Sequence, residues 1–69
     1  MNFEIRGEYI ELIKLLKAAN LVMSGGEAKI AVAEGQVSVD GEIETRKRRK
    51  IRPGQIVLFA GDEIHVSGV

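Results

Sequence analysis

Six of the chain's ten cationic side chains fall within seven consecutive positions: Arg46, Lys47, Arg48, Arg49, Lys50 and Arg52. Crowding like charges costs repulsion, and a polyanion relieves it. On nucleic acid, Lys and Arg displace condensed counterions, and their release adds directly to affinity. Four of the six are Arg, whose guanidinium can hold a phosphate through two donors at once. The competing reading is a solvated loop partly neutralised by Glu42 and Glu44. Surface pairs of that kind contribute only about 0–1 kcal/mol each and do not by themselves call for six cations. The cluster therefore points to anion binding, with nucleic acid as the leading class of partner.

Other groups carry less. Lys14 and Lys17 are three apart and share one face of a helix, and Lys29 lies one turn into a second helix. Alone they are ordinary surface lysines; they matter if the fold brings them beside 46–52. Ser24-Gly25-Gly26-Glu27 opens a helix whose first N–H groups could meet a phosphate, although a plain cap is the stronger reading, because Glu27 already meets much of that preference for negative charge. His65, the single histidine, has no partner at triad or metal-site spacing. No nucleotide loop, metal motif or activated nucleophile is present, so neither catalysis nor a cofactor is expected. Phe3, Tyr9 and Phe59 each sit in an apolar pattern, and none is interleaved with the basic run. Single-strand readers stack bases on exposed aromatics, so the pattern favours a structured partner read through phosphates and shape.

These residues must be positioned by a small scaffold. Sixty-nine residues form one domain, 1–69, and a chain of this size buries only about 60% of its unfolded surface. There is no Cys, which excludes disulfides and Cys-based zinc sites. Apolar runs such as IVLFA reach about five residues, against the roughly 20 of a membrane span and at least about 7 of a signal core. A soluble, cytoplasmic protein with no membrane association is expected. The net charge of zero hides an asymmetry: residues 1–45 carry eight acids and four bases, whereas 46–52 carries bases only. Local potential, more than the total, governs what binds.

Alternation in NFEIRG predicts a strand ended by Gly7. Tyr9, Leu12, Ile13 and Leu16 fall on one face of a helix over EYIELIKLLKAANL, stopped at Asn20. Ser24 and Glu27 form a capping box, and Ala28, Ala31 and Val32 give the second helix a narrow stripe, with Gly35 ending it. Period two then returns at Val37 and Val39, followed by a hairpin signal at Asp40-Gly41. A two-residue turn there would put Ile43 on the face opposite Val37 and Val39, so a bulge or longer loop is expected. Pro53-Gly54 predicts a turn, QIVLFA a strand, Gly61-Asp62 a turn, and EIHVSG a last strand with Ile64 and Val66 inward. The class is α+β: a two-helix hairpin packed on a small, mostly antiparallel sheet.

The ordered set Leu15-Leu16, Leu21, Ser24, Glu27-Ala28-Lys29, Gly35, Val37, Val39, Gly41, Ile51, Pro53-Gly54 and Ile56 resembles the S4-type RNA-binding domain. That helix-hairpin module, also called the alpha-L motif, is named after a small-subunit ribosomal protein. The resemblance covers a core from about residue 12 to 58 and is closest to the family's short, stand-alone bacterial members. It departs where the family often has Arg-Leu-Asp-Lys, here Glu11-Leu12-Ile13-Lys14, and where Arg commonly follows the turn Ser, here Gly25. Asp40 replaces the hairpin Asn, and Gln55 replaces the Asp after the last turn Gly. The resemblance implies a monomeric, non-enzymatic module that binds structured RNA (ribosomal RNA, tRNA or another folded RNA), with the ribosome or an RNA-associated protein as a further partner. The implied RNA surface comprises Lys14, Lys17, Ser24, Lys29, Arg46, Lys47, Arg48, Arg49, Lys50 and Arg52. The alternative is a protein-interaction domain whose basic loop docks on an acidic protein.

Overall fold

Where alternation is strictest, the chain forms strands. A computed structural model describes all 69 residues. Strands β1 (Asn2–Ile5), β3 (Val37–Val39), β4 (Glu42–Ile43), β6 (Ile56–Phe59) and β7 (Asp62–Gly68) form one five-stranded sheet in the order β1-β7-β6-β3-β4. All pairings in it are antiparallel except β1 with β7, which is parallel. A separate two-stranded ladder joins β2 (Ile10–Glu11) to β5 (Lys50–Ile51). Helices α1 (Leu12–Ala18) and α2 (Gly25–Ala33) pack with the sheet around one shared core. The architecture is two helices on a mostly antiparallel, mixed sheet, within the expected α+β class. No helix is long and apolar enough to cross a membrane.

The core lies between these layers. Leu12, Leu15 and Leu16 of α1 and Ala28, Ala31 and Val32 of α2 are buried in one cluster with Ile5, Val37, Val39, Val57, Ile64 and Val66 of the sheet. Helix α1 has only seven residues, too few to persist alone in water, so this packing is what holds it. Ser24 caps α2, its hydroxyl accepting the Glu27 N–H at 3.1 Å, but the return bond of the expected capping box, from the Ser24 N–H to the Glu27 carboxylate, is not formed. Asn20 takes the left-handed conformation after α1, with φ 60°, and Gly35 does so after α2, with φ 73°.

Four other details of the sequence reading need correction. Helix α1 begins at Leu12, and the Tyr9-to-Glu11 stretch is extended instead of helical. Here pairing outweighs periodicity: Ile10 faces Ile51, Glu11 faces Lys50, and the Leu12 N–H donates to the Arg49 carbonyl at 2.8 Å. Second, the Asp40-Gly41 turn is a direct two-residue turn with no bulge, pairing Val39 with Glu42 and Ser38 with Ile43. Both turn residues have positive φ, 51° and 86°, the combination that matches hairpin twist. Ile43 accordingly faces away from the core and is exposed. Third, the last hairpin turns at Ala60-Gly61, one residue earlier than Gly61-Asp62, because Phe59 pairs with Asp62. Fourth, the basic run is not all loop, since Lys50 and Ile51 are its strand.

Asp40 ties the hairpin to β6. Its carboxylate accepts the Ile56 N–H at 2.9 Å and the Gln55 side-chain amide at 3.2 Å, and its own N–H donates to the Ile56 carbonyl at 2.8 Å. Asp40→Ala is expected to destabilise the fold by about 1–2 kcal/mol, through the positive φ and the lost acceptor. Asp40→Asn, which tolerates that φ and keeps one acceptor, should cost less than half as much in urea unfolding.

Candidate nucleic-acid interface

The two-residue turn at Asp40-Gly41 decides where the next side chains point. Because Glu42 faces Val39 and Ile43 faces Ser38, Glu44 falls opposite Val37, and its N–H donates to the Val37 carbonyl at 2.9 Å. Its carboxylate therefore faces inward at the end of the sheet, and Glu44 is the one buried charged residue. An inward carboxylate must be satisfied, and the basic run turns back to do it. The Arg46 N–H donates to Oε2 at 2.9 Å, while its guanidinium reaches Oε2 through Nε and Oε1 through Nη2, both at 3.0 Å. Arg49 Nη1 donates to Oε1 at 3.0 Å. The Arg46 guanidinium bonds hold the Glu44 carboxyl down to about 2 from its ordinary 4.5, against an opposing effect of burial. The same contact raises the Arg46 pKa further. No buried side-chain polar atom is left without a partner.

A second carboxylate holds the other side. Glu11 accepts from Arg48 Nε at 3.1 Å and lies 3.7 Å from the Lys14 ammonium. Its place is fixed by the β2–β5 ladder, which is anchored by the fully buried Ile51. Further along, the Pro53-Gly54 turn closes with the Gln55 N–H on the Arg52 carbonyl at 3.2 Å, and Gly54 supplies the required positive φ of 95°. The Gln55 side chain accepts the Arg52 N–H at 2.8 Å and donates to Asp40 at 3.2 Å, so it links this turn to the hairpin.

With the backbone held this way, Arg46, Arg48, Arg49, Lys50 and Arg52 converge, with Gln55, on one open groove of about 540 Å³ that has no hydrophobic lining. The Arg46 and Arg48 side chains remain 70% and 84% exposed despite their carboxylate contacts, so both keep donors free for a ligand. Beside the groove is a smaller hollow of about 410 Å³ lined by Tyr9, Ile10, Glu11, Lys14 and Arg48. Arg48 lines both.

Six of the ten residues expected from the sequence are thus brought together: the five groove cations and, through Glu11 and Arg48, Lys14. Lys47 is exposed on the same run but lines neither cavity. Lys17 is exposed in the last turn of α1, one turn beyond Lys14. Ser24 and Lys29 are exposed on α2 and line neither cavity. Tyr9, Glu11 and Gln55 were missed, and Glu44, read only as a partial neutraliser of the run, is the carboxylate that orders it. The Tyr9 ring, expected in a helical apolar stripe apart from the cations, has the Lys50 ammonium 4.9 Å and the Arg52 guanidinium 5.8 Å from its centroid.

Residues 3–67, which include both helices and the cationic loop, match the S4 domain, and the chain belongs to that family. Among its relatives, the chain is 57% identical over 58 residues to YbcJ of Escherichia coli (strain K12), an alignment covering 84% of this chain and 83% of that protein. It is 39% identical over 54 residues to RlbA of Bacillus subtilis (strain 168), covering 78% of this chain and 76% of the relative, whose name describes a probable ribosome maturation protein. The solution structure of E. coli YbcJ superposes with a TM-score of 0.74 at 51% identity, covering 96% of this chain and 85% of that one. That structure is described as revealing an alpha-L motif involved in RNA-binding.

Proposed function

We propose that this protein is a non-enzymatic binder of structured RNA that grips phosphates with the groove formed by Arg46, Arg48, Arg49, Lys50 and Arg52. The observation that carries this reading is the convergence of five cations on one open groove with no hydrophobic residue in its lining, whose backbone is fixed on both sides. A fixed groove suits a rigid, helical polyanion, because little ordering cost remains to be met on binding. Lys47 adds long-range attraction, and Lys14 and Lys17 extend the cationic track along α1. Lys29 and Ser24 would join only where the RNA also reaches α2. Membership of the S4 family and the motif described for YbcJ support RNA as the polyanion. The name of RlbA makes ribosomal RNA or its precursors the first class to try.

The test is equilibrium binding of a helical ribosomal RNA fragment and of tRNA across a salt series. Contact with about four to six phosphates predicts a slope of log K against log salt of about −3 to −5. Binding that ignores salt, or no binding at low salt, would overturn the reading and turn attention to an acidic protein partner.

A further inference from the structure

Tyr9 is out of place if the groove only grips phosphates. It is the chain's single tyrosine and is 41% exposed, so core packing does not account for it. Ile10 pairs with Ile51, which turns inward, and the neighbouring Tyr9 and Glu11 therefore point to the outer face of the ladder. Lys50 of the opposite strand and Arg52, just beyond that strand's end, lie against the Tyr9 ring. The ring forms a wall of the smaller hollow, with Ile10 giving it an apolar part and Arg48 standing on its groove side. One aromatic surface thus adjoins cations that point into the phosphate groove.

Nucleic acid presents that same pair of chemistries, a phosphate and, one nucleotide away, a flat base. A base within a helix cannot reach the ring, whereas an unpaired one can, and unstacked RNA bases are characteristically held on aromatic rings and guanidinium planes. The cations on the ring already draw on its negative face, which keeps Tyr9 in position before any ligand arrives. We propose that Tyr9 is the stacking platform for a single unpaired base next to the gripped helix, the base entering the hollow between Tyr9 and Arg48. The preferred ligand is then an RNA stem interrupted by a bulge or ending in a loop, not a continuous duplex. This inference rests on the phosphate-binding reading of the adjoining groove.

The experiment compares two RNA hairpins of identical stem, one fully paired and one with a single bulged adenosine, against wild type, Tyr9→Leu and Tyr9→Phe. Stacking contributes enough to predict about 5–100-fold tighter binding of the bulged hairpin by wild type. Tyr9→Leu should lose that preference and bind the two hairpins equally, and Tyr9→Phe, which keeps the ring, should retain it. The ring protons of the one tyrosine should also shift upfield on adding the bulged hairpin but not the paired one. Equal, salt-dependent binding of both hairpins with unmoved ring protons would overturn the platform and leave the phosphate groove standing. No binding of either hairpin at low salt would overturn the groove reading, and the platform with it.

Discussion

Changing Arg46, Arg48, Arg49 and Arg52 together to Gln should lower affinity for a helical RNA by roughly 10³-fold at about 0.1 M salt and make the salt slope shallower by about three to four. The effect is large because each lost phosphate contact removes one released counterion, and these terms multiply. Two of the four residues, however, also satisfy Glu44, so this variant can lose affinity by losing its loop. The separating variant is Arg48→Gln/Arg52→Gln, which leaves Glu44 and its partners untouched. It should keep the wild-type thermal transition within a few degrees and still lose about 30–100-fold, with the slope shallower by about two. Filter or fluorescence-anisotropy binding across the salt series reads both numbers. Undiminished affinity in the double variant would mean that the groove is not the phosphate site.

The sequence made the cations legible because charge clustering is visible in one dimension. It made most of the scaffold legible for a similar reason: the period-two segments and the Ser24 cap are local features, and the structure realises them nearly as read. What it hid depended on pairing between distant segments. Nothing near Tyr9 announces that residues 10 and 11 will pair with residues 51 and 50, and helical spacing of Tyr9, Leu12, Ile13 and Leu16 invites the wrong period. Once that ladder forms, Tyr9 leaves the apolar stripe for the cationic face. The Ile43 puzzle hid the other half of the site. An exposed Ile looked like the anomaly to be repaired with a bulge. The tight turn instead leaves Ile43 in solvent and directs Glu44 inward, and it is this inward carboxylate that organises the arginines. Gln55, read only as a departure from the family pattern, proves to be the link between the Pro53-Gly54 turn and the hairpin.

Glu44 gives the sharpest contrast between charge counting and geometry. Glu44→Gln removes a negative charge beside a cationic groove, so a purely additive electrostatic view predicts tighter RNA binding. The geometry predicts the opposite. Gln offers one acceptor oxygen where the carboxylate accepts four contacts, from the Arg46 N–H, its Nε and Nη2, and Arg49 Nη1. The two guanidiniums would then repel each other unrestrained, and the loop would have to be ordered again on each binding event. Loss of stability should be about 2–3 kcal/mol, below the figure for a fully buried pair because Arg46 is largely exposed. RNA affinity should fall several-fold, with no steepening of the salt slope. Acid supplies an independent check on the same carboxylate. Its folded pKa of about 2 lies below the ordinary 4.5, so its ionised form stabilises the fold. That contribution is full above about pH 5 and is lost as pH falls through 4.5 towards 2. The stability difference between wild type and Glu44→Gln should therefore be constant from pH 7 to 5 and shrink below that. A difference that persists at pH 2 would show that the ionised carboxylate is not what holds the loop.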